Sequence, residues 1–364
     1  MKFRCERDVL VDALATAGRA VTTRGGALPV LSGVRAELEG DRLVLSGTDL
    51  ELSISVETTV AGSGDGVAVI PARLFADIVR ALEPGAVEVE VAEDTAQVSA
   101  ARSQFSLRLI PADDFPRSSD LEAEPLAVEA RSLAQALRQV VPAASSDDSR
   151  PILTGVLVAA EAGGLRLVAT DSYRLAVRDL ADASILAEGQ SVLLPSRALA
   201  ELTRLLAGAD TVQLRLGARE ASFEAGRSRL TTRLIEGEFP NYRNLIPRNH
   251  PNRLTVNREL LLDAVRRVRL LARESTPIRL AQNAEGLELL AITQDVGQAH
   301  EFVDATYEGT ELTVAFNPEY LIAGLDATSA DEVVLESLDA RNPAVLRGVG
   351  NQDFFYLLMP VRVS

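Results

Sequence analysis

The sequence predicts an α+β protein built from three tandem domains of similar fold, each with two helices packed on antiparallel sheet. Four short motifs return in the same order at spacings of 122 to 124 residues, which indicates a repeated unit. Within each copy, segments with the apolar spacing of a helix and segments with the alternation of a strand succeed one another in the same order. A length of 364 residues suits two or three domains, and a hydrophobic fraction of 47% can fill their cores.

The repeated motifs set the expected domain boundaries. With their returns they are PVLSGV at 29–34 and PILTGV at 151–156, GTD at 47–49 and ATD at 169–171, VIPAR at 69–73 and LLPSR at 193–197, and DFP at 114–116 and EFP at 238–240. The third copy keeps TQD at 293–295 and FNPEY at 316–320. We therefore expect domains over 1–120, 121–250 and 251–364, with polar linkers at 117–126 and 247–253.

Each copy opens with a helix whose apolar residues recur at i, i+3, i+4 and i+7, the spacing of one buried face. These residues are Val9, Leu10, Ala13, Leu14 and Ala17; Leu133, Ala136, Leu137 and Val140; and Leu261, Leu262, Val265 and Val268. Strands with alternating apolar residues follow, as at 42–46 and 164–168. A second helix then begins near a proline, and we expect it over Ala72–Leu82, Ser196–Leu206 and Pro318–Leu325.

The stretch TDSYRLAV at 170–177 places polar residues between two segments that have the composition of strands. Thr and Asp occupy the same place at 48–49 of the first copy, so we predict a turn in which their side chains bind backbone N–H groups. Tyr173 and Arg174 occur together only in the middle copy. Exposure to solvent and contact with a partner are both open for this pair.

Few residues of this chain have the chemistry that catalysis needs. Cys5 is the one cysteine, which excludes a disulfide framework, and neither His250 nor His300 has the spacing of a metal ligand. No phosphate-binding loop, dinucleotide fingerprint or nucleophile elbow occurs. The N-terminus lacks a signal-type apolar region and no apolar run approaches 18 residues. We expect a soluble cytoplasmic protein without enzymatic activity, metal, cofactor or membrane partner.

The distribution of charge is less simple than its total. A net charge of −15 argues against a nucleic-acid partner. Three pairs of arginines nevertheless stand seven residues apart on expected helices, so each pair lies on one stripe. They are Arg73 and Arg80, Arg131 and Arg138, and Arg197 and Arg204. These stripes are either solvated faces paired with Asp77 and Glu201 or a surface that faces a polyanion.

Eight stretches resemble the bacterial DNA polymerase III beta subunits, the sliding clamps, and together they run along the whole chain. They are MKFRCERDVL at 1–10, GTDLE at 47–51, PARLF at 71–75, RSQFSL at 102–107, ATDSYRLAV at 169–177, EFPNYRNLIP at 238–247, AFNPEYL at 315–321 and YLLMPVRV at 356–363. The resemblance implies the DNA-clamp fold and a head-to-tail homodimer that closes into a ring. It also implies a processivity factor in DNA replication that is not an enzyme.

The resemblance further implies the partners of the chain. They are double-stranded DNA, held by encirclement, and the DNA polymerase III alpha subunit, the clamp loader and repair proteins, which bind through short, partly apolar peptides. A ring retains DNA by topology, so it needs no tight grip on phosphates, and strong contacts would slow sliding. The DNA-facing residues implied are Arg24, Arg73, Arg80, Arg131, Arg138, Arg197 and Arg204.

The implied peptide groove lies between the second and third domains. Its residues are Leu153, Thr170, Ser172, Tyr173, Arg174, Leu175, Pro240, Asn244, Leu245, Asn317, Tyr320, Pro343, Leu357, Met359, Pro360, Val361 and Arg362. Ser172 and Tyr173 depart from the Gly-His pair common in the family, and Asn244 stands where Arg or Gln is frequent. The implied dimer interface contains Phe105, Leu270 and Leu271, for which burial inside one domain is the alternative.

Two kinds of alternative stay open at this point. A duplicated, inhibitor-resistant clamp would have the same activity and a similar sequence. A monomeric three-domain binding protein or a divergent enzyme would share the repeats but would not form a ring.

Overall fold

The structure, a computed structural model, describes residues 1–22, 28–116, 121–161, 163–181, 186–247, 249–272 and 276–362. The chain forms two compact units. Unit 1 comprises Met1–Arg131 with Glu201–Leu234, and unit 2 comprises Ser132–Ala200 with Ile235–Ser364.

The secondary structure repeats its order along the chain. The first third contains β1 Lys2–Glu6, α1 Arg7–Ala17, β2 Gly33–Glu39, β3 Arg42–Thr48, β4 Leu52–Thr59, β5 Ala61–Ser63, β6 Gly66–Pro71, α2 Ala72–Ala81, β7 Ala86–Ala92, β8 Thr95–Ala100 and β9 Ser103–Arg108. The middle third contains β10 Leu126–Glu129, α3 Ala130–Val140, β11 Gly155–Glu161, β12 Gly164–Thr170, β13 Arg174–Leu180, β14 Ser191–Pro195, α4 Ser196–Leu205, β15 Thr211–Leu216, β16 Glu220–Ala225 and β17 Ser228–Arg233. The last third contains β18 Asn252–Asn257, α5 Arg258–Val268, β19 Ile278–Asn283, β20 Gly286–Thr293, β21 Gly297–Val303, β22 Ala305–Glu308, β23 Leu312–Phe316, α6 Pro318–Ala327, β24 Glu332–Ser337, β25 Ala344–Gly348 and β26 Phe354–Leu358.

Unit 1 contains two antiparallel sheets. One has the order β5-β1-β7-β8-β9, and the other has the order β10-β15-β16-β17-β4-β3-β2-β6. The second sheet is continuous because β17 pairs with β4, with Leu230 opposite Ile54. The core of unit 1 contains the buried rings of Phe3 and Phe75. Burying one such apolar side chain stabilises the folded state by about 1.5–3 kcal/mol.

Unit 2 repeats this plan with nine and four strands. The larger sheet has the order β14-β11-β12-β13-β26-β25-β24-β18-β22, and the smaller one has the order β21-β20-β19-β23. The larger sheet is continuous because β13 pairs with β26, with Leu175 opposite Leu357. The pairing of β17 with β4 has the same role in unit 1. In both units a strand that follows a Thr-Asp turn therefore pairs with a strand from the end of a later repeat.

The helices follow the predicted apolar faces closely. α1 buries Leu10, Ala13, Leu14 and Ala17, but Val9 is 44% exposed, so its predicted burial is wrong. Adjacent helical residues point about 100° apart, and the buried stripe of α1 includes only Leu10 of the two. The predicted faces of α3 and α5 are buried throughout. α2 and α4 each end one residue before the prediction, and α6 extends two residues beyond it to Ala327.

Cys5 lies in β1 and is partly buried against the core of unit 1. Burial, with a contribution from Glu6, raises the pKa of its thiol to about 11, so the sulfur stays protonated at neutral pH. Within the described ranges, no group of three or more His, Cys, Asp or Glu side chains could hold a metal ion. No helix in the described part of the chain is long and apolar enough to cross a membrane.

Candidate functional site

Thr170 and Asp171 close a turn between β12 and β13. Thr170 Oγ1 donates to the carbonyl of Arg174 at 2.6 Å and accepts from the N–H of Ser172 at 3.1 Å. Asp171 Oδ1 accepts from the N–H groups of Tyr173 and Arg174 at 2.9 and 3.0 Å. Thr48 and Asp49 make the same four bonds in unit 1. The prediction of a structural Thr-Asp turn is therefore confirmed.

The turn holds Ser172 in the left-handed region of backbone conformation, with a φ of 81°. Leu50 occupies the corresponding place in unit 1 with the same φ of 81°. Side chains with a Cβ rarely adopt this conformation, which favours glycine. The four side-chain hydrogen bonds of the turn offset that cost, and they fix the direction in which the next residue, Tyr173, leaves the turn.

Arg174 links this turn to the third repeat. Its Nε donates to Asp171 Oδ2 at 2.9 Å, its Nη1 lies 3.5 Å from the hydroxyl of Tyr356, and its Cζ lies 4.6 Å from the ring centroid of Tyr320. Burial opposes the guanidinium charge, but Tyr356 and Asp171 outweigh it and raise the pKa of Arg174. Burial also raises the pKa of Tyr356 to about 12. Arg174 is thus a fixed, charged support beneath the surface of the site.

The segment after β26 lies along the turn. The N–H of Met359 donates to the carbonyl of Tyr173 at 2.9 Å, and the N–H of Val361 donates to the carbonyl of Ala315 at 2.7 Å. Two backbone bonds therefore tie the segment 359–361 to the start of β13 on one side and to β23 on the other.

A cavity of about 360 Å³ opens beside this segment. Six predicted groove residues line it, namely Tyr173, Asn317, Tyr320, Met359, Pro360 and Val361, together with Thr276, Pro277 and Pro318. The rings of Tyr173 and Tyr320 are stacked, with centroids 6.3 Å apart and an interplanar angle of 22°. Asn317 caps α6, since its Oδ1 accepts from the N–H of Glu319 at 2.8 Å. The cavity is concave and mostly apolar, as expected of a ligand pocket.

An apolar cluster adjoins the cavity. Its buried members are Val168, Leu175, Val177, Tyr242 and Leu357, and the partly buried Phe239, Ile246 and Met359 pack against it. Met359 thus belongs to both the cavity and the cluster. Leu175 and Leu357 are each 1% exposed, so they support this surface from below and offer almost none of their own area to a partner.

Ion pairs surround the segment that is predicted to form the linker-side wall of the groove. Arg243 pairs with Glu161, which also pairs with Arg166 at 2.8 Å, and Arg166 Nε pairs with Asp179 Oδ1 at 2.6 Å. The ring of Tyr242, next to Arg243, is buried, and this burial raises the pKa of its hydroxyl. The short helical turn Tyr242–Leu245 is held in this way and leaves Leu245 43% exposed.

The other predicted groove residues differ in exposure. Leu153 lies in the turn Pro151–Thr154 and is half-buried, as is Pro343, whereas Pro240, Asn244 and Arg362 are exposed. Thr276 and Pro277 of the cavity were missed because they belong to no repeated motif. Pro318 stands inside the FNPEY motif and could have been found there.

Unit 1 has a cavity of about 550 Å³ beside its own Thr-Asp turn, lined by Thr48, Phe115 and residues of β2, β3, β4, β16 and β17. Its lining is charged and internally paired. Arg35 pairs with Glu37 at 2.6 Å, and Arg229 pairs with Glu224 at 2.8 Å. The lining of this cavity is therefore polar and charged, whereas the lining of the unit 2 cavity is aromatic and apolar.

Six of the predicted DNA-facing arginines lie in the described part of the chain, and all six are exposed on helices. They are Arg73, Arg80, Arg131, Arg138, Arg197 and Arg204. Arg73 and Arg80 approach Asp77 at 3.9 and 3.2 Å, and Arg204 pairs with Glu201. Such exposed pairs contribute about 0–1 kcal/mol, so they leave the guanidinium groups accessible. Arg24 lies outside the described residues.

The predicted interface residues leave apolar area uncovered. Phe105 lies in the edge strand β9 and is 39% exposed, and Leu270 is 83% exposed. Leu271, in the same short turn Arg269–Leu271, is half-buried. An edge strand presents unpaired backbone N–H and C=O groups, with which a strand of another chain can pair.

Three successive parts of the chain match three domain families. They are the N-terminal, central and C-terminal domains of the DNA polymerase III beta subunit, over residues 1–119, 127–241 and 243–362. The beta sliding clamp of Streptomyces coelicolor is 36% identical and that of Escherichia coli is 30% identical, each over 100% of both chains.

Solved structures are similar along the whole length as well. The DNA polymerase sliding clamp of Bacillus subtilis matches with a TM-score of 0.93 and 29% identity, over 100% of both chains. The sliding clamp of Pseudomonas aeruginosa bound to griselimycin matches with a TM-score of 0.93 and 31% identity, again over 100% of both chains. The three domain matches, the helices and antiparallel sheets of the two units, and these relatives all indicate the same family. The chain belongs to the DNA polymerase III beta subunit family, the beta sliding clamps.

Proposed function

We propose that the protein is a sliding clamp of DNA replication that encircles duplex DNA and tethers the replicative polymerase and other DNA-processing proteins. It acts in the cytoplasm as a head-to-tail homodimer, without catalysing a reaction. Its three domains span 1–120, 121–250 and 251–364. The observation that carries the proposal is a similarity to beta sliding clamps in sequence and in fold, over the full length of both chains.

The exposed arginines support the DNA partner. Six of them project from helices of a chain whose net charge is −15. In the proposed ring they face the duplex, where each contributes one weak, screened contact. The acidic remainder repels DNA that is not inside the ring. An acidic protein can then retain DNA without gripping it.

The apolar cavity and its neighbouring cluster support the second half of the proposal. A short peptide with a Gln and two apolar anchors would cover Met359, Val361 and Leu245, which are partly exposed apolar groups of this surface. A methionine suits varied partners because its flexible side chain adapts to different shapes. Polymerase alpha subunit, clamp loader and repair proteins would compete for this one place on each protomer.

The test is retention on DNA of defined topology. The protein is loaded by a bacterial clamp loader and ATP onto nicked circular duplex, and the complex is isolated by gel filtration. A single restriction cut should release the protein within minutes, because it can slide off the ends. Retention after linearisation would indicate ordinary DNA binding, and absence of any retained complex on the circle would contradict the proposal.

A further inference from the structure

The ring of Tyr173 is a large apolar group left uncovered beside the cavity of unit 2. It is 57% exposed although it stacks on Tyr320. Aromatic rings in this situation often dominate binding, since a partner that covers them gains much apolar contact at low entropic cost.

The backbone on which this ring stands is rigid. The N–H of Tyr173 donates to Asp171 at 2.9 Å, and its carbonyl accepts from Met359 at 2.9 Å. Arg150 adds a contact to the same turn, from its Nη1 to the carbonyl of Asp171 at 3.4 Å. A ring displayed on a fixed backbone loses little freedom when a ligand docks.

The other walls of the cavity restrict what can lie against that ring. Seven of its nine lining residues are tyrosine, proline, methionine or valine, and none is charged. Three of the seven are prolines, Pro277, Pro318 and Pro360, which have no backbone N–H to donate. Thr276 and Asn317 are the two uncharged polar residues in this lining. These nine residues offer no side chain of opposite charge to a carboxylate or ammonium group, which would lose water on entering the cavity.

We propose that Tyr173 is a specificity-determining residue, which selects partner peptides that place an aromatic side chain against its ring in this cavity. The inference rests on the proposed function, since it names the ligand chemistry of the same groove. Planar rings prefer offset-stacked or edge-to-face contact, and the stacked rings of Tyr173 and Tyr320 present one continuous aromatic wall for it. The charged cavity of unit 1 has no such wall.

The test uses fluorescein-labelled peptides that share two apolar anchors, Leu and Phe, and differ at one upstream position, which is Gln, Tyr or Glu. Fluorescence anisotropy gives the Kd of each for the full-length protein and for Tyr173→Leu, which keeps apolar bulk without the ring. Phe302→Leu is the matched control, since Phe302 is 52% exposed and does not line the cavity.

We expect the unsubstituted protein and the control to bind the Tyr peptide about three- to tenfold more tightly than the Gln peptide, and the Glu peptide most weakly. Tyr173→Leu should bind the Tyr and Gln peptides equally. Equal binding of these two by the unsubstituted protein, or a preference that survives in Tyr173→Leu, would overturn the inference and leave the proposed function standing. Failure of all three peptides to bind would overturn the inference and the proposed partner groove, and would leave the proposed encirclement of DNA standing.

Discussion

Met359 and Tyr173 are joined through their backbones, with the N–H of Met359 2.9 Å from the carbonyl oxygen of Tyr173. Because the bond involves no side chain, the course of the segment 359–361 does not depend on the methionine itself. The thioether side chain is left to fill space between the aromatic cavity and the apolar cluster. The side chain of Met359 can therefore be replaced without removing this backbone bond, which makes Met359 suitable for testing the proposed groove.

We expect Met359→Ala to weaken binding of a peptide with a Gln and two apolar anchors by ~1–3 kcal/mol, because it removes apolar surface that the peptide would cover. The starting affinity should be modest, roughly micromolar, because a short peptide loses conformational freedom on docking. Isothermal titration of the full-length protein measures the change. Leu50→Ala, at the corresponding turn of unit 1, serves as the control and should leave the affinity unchanged. Equal weakening by both substitutions would show that the peptide does not select the groove of unit 2.

We expect Leu270→Glu to weaken homodimer formation by several kcal/mol, because it places an unpaired charge in an interface that excludes water. Sedimentation velocity at low micromolar concentration should then detect monomer. Leu260→Glu is a matched control, since Leu260 is also exposed, at 56%, on the neighbouring helix α5. An intact Leu270→Glu dimer would remove Leu270 from the interface.

We expect single arginine substitutions on the helices to matter little and a combined substitution of Arg73, Arg131, Arg138 and Arg197 by Ala to reduce loading onto circular DNA. The salt dependence of DNA association should become flatter, by up to about 0.9 in logarithmic slope for each phosphate that an arginine no longer neutralises. Loading is measured over a salt series. A control that changes the charge equally replaces Arg227, Arg233, Arg253 and Arg341, which are exposed in strands and turns. If both quadruple variants have the same salt slope, the helical arginines do not face DNA.

The repeats made the fold predictable, because each copy carries its own helix and strand patterns and the same turn chemistry. The turn at Thr170 and Asp171 could be recognised as structural from its counterpart at Thr48 and Asp49 alone. What no local pattern contains is the pairing of β13 with β26 and of β17 with β4. Each pair brings together segments of different repeats, and a strand carries no local signal for its partner.

The site was less predictable than the fold, because it too brings together segments of different repeats. Residues inside the quoted motifs, such as Tyr320 and Met359, could be named, whereas Thr276 and Pro277 enter the cavity only through the tertiary fold. Leu175 and Leu357 carried the right apolar character, but a pattern cannot distinguish a residue under a surface from one on it. The stacking of Tyr173 on Tyr320 likewise depends on geometry between distant repeats.

The last prediction concerns Tyr356, whose hydroxyl lies 3.5 Å from Nη1 of Arg174 beneath the proposed groove. Burial raises its pKa to about 12 from an ordinary value of 10.0, so the folded state keeps the proton that the unfolded state releases first. The stabilisation is complete below pH 10 and is lost as the pH rises through about 12. Between pH 9 and pH 11.5 this loss amounts to about 2 kcal/mol of the free energy of unfolding, since each tenfold change corresponds to about 1.4 kcal/mol.

Urea unfolding of the unsubstituted protein and of Tyr356→Phe at both pH values isolates this contribution. The pKa values of Tyr242, Tyr307 and Tyr320 are also raised by burial, but these residues are present in both proteins and cancel in the comparison. Tyr356→Phe should therefore lose about 2 kcal/mol less than the unsubstituted protein over this range. Tyr173→Phe, which removes a hydroxyl from an exposed ring, is the control substitution. Parallel losses in Tyr356→Phe and the unsubstituted protein would mean that the folded state does not hold the Tyr356 proton more tightly than the unfolded chain.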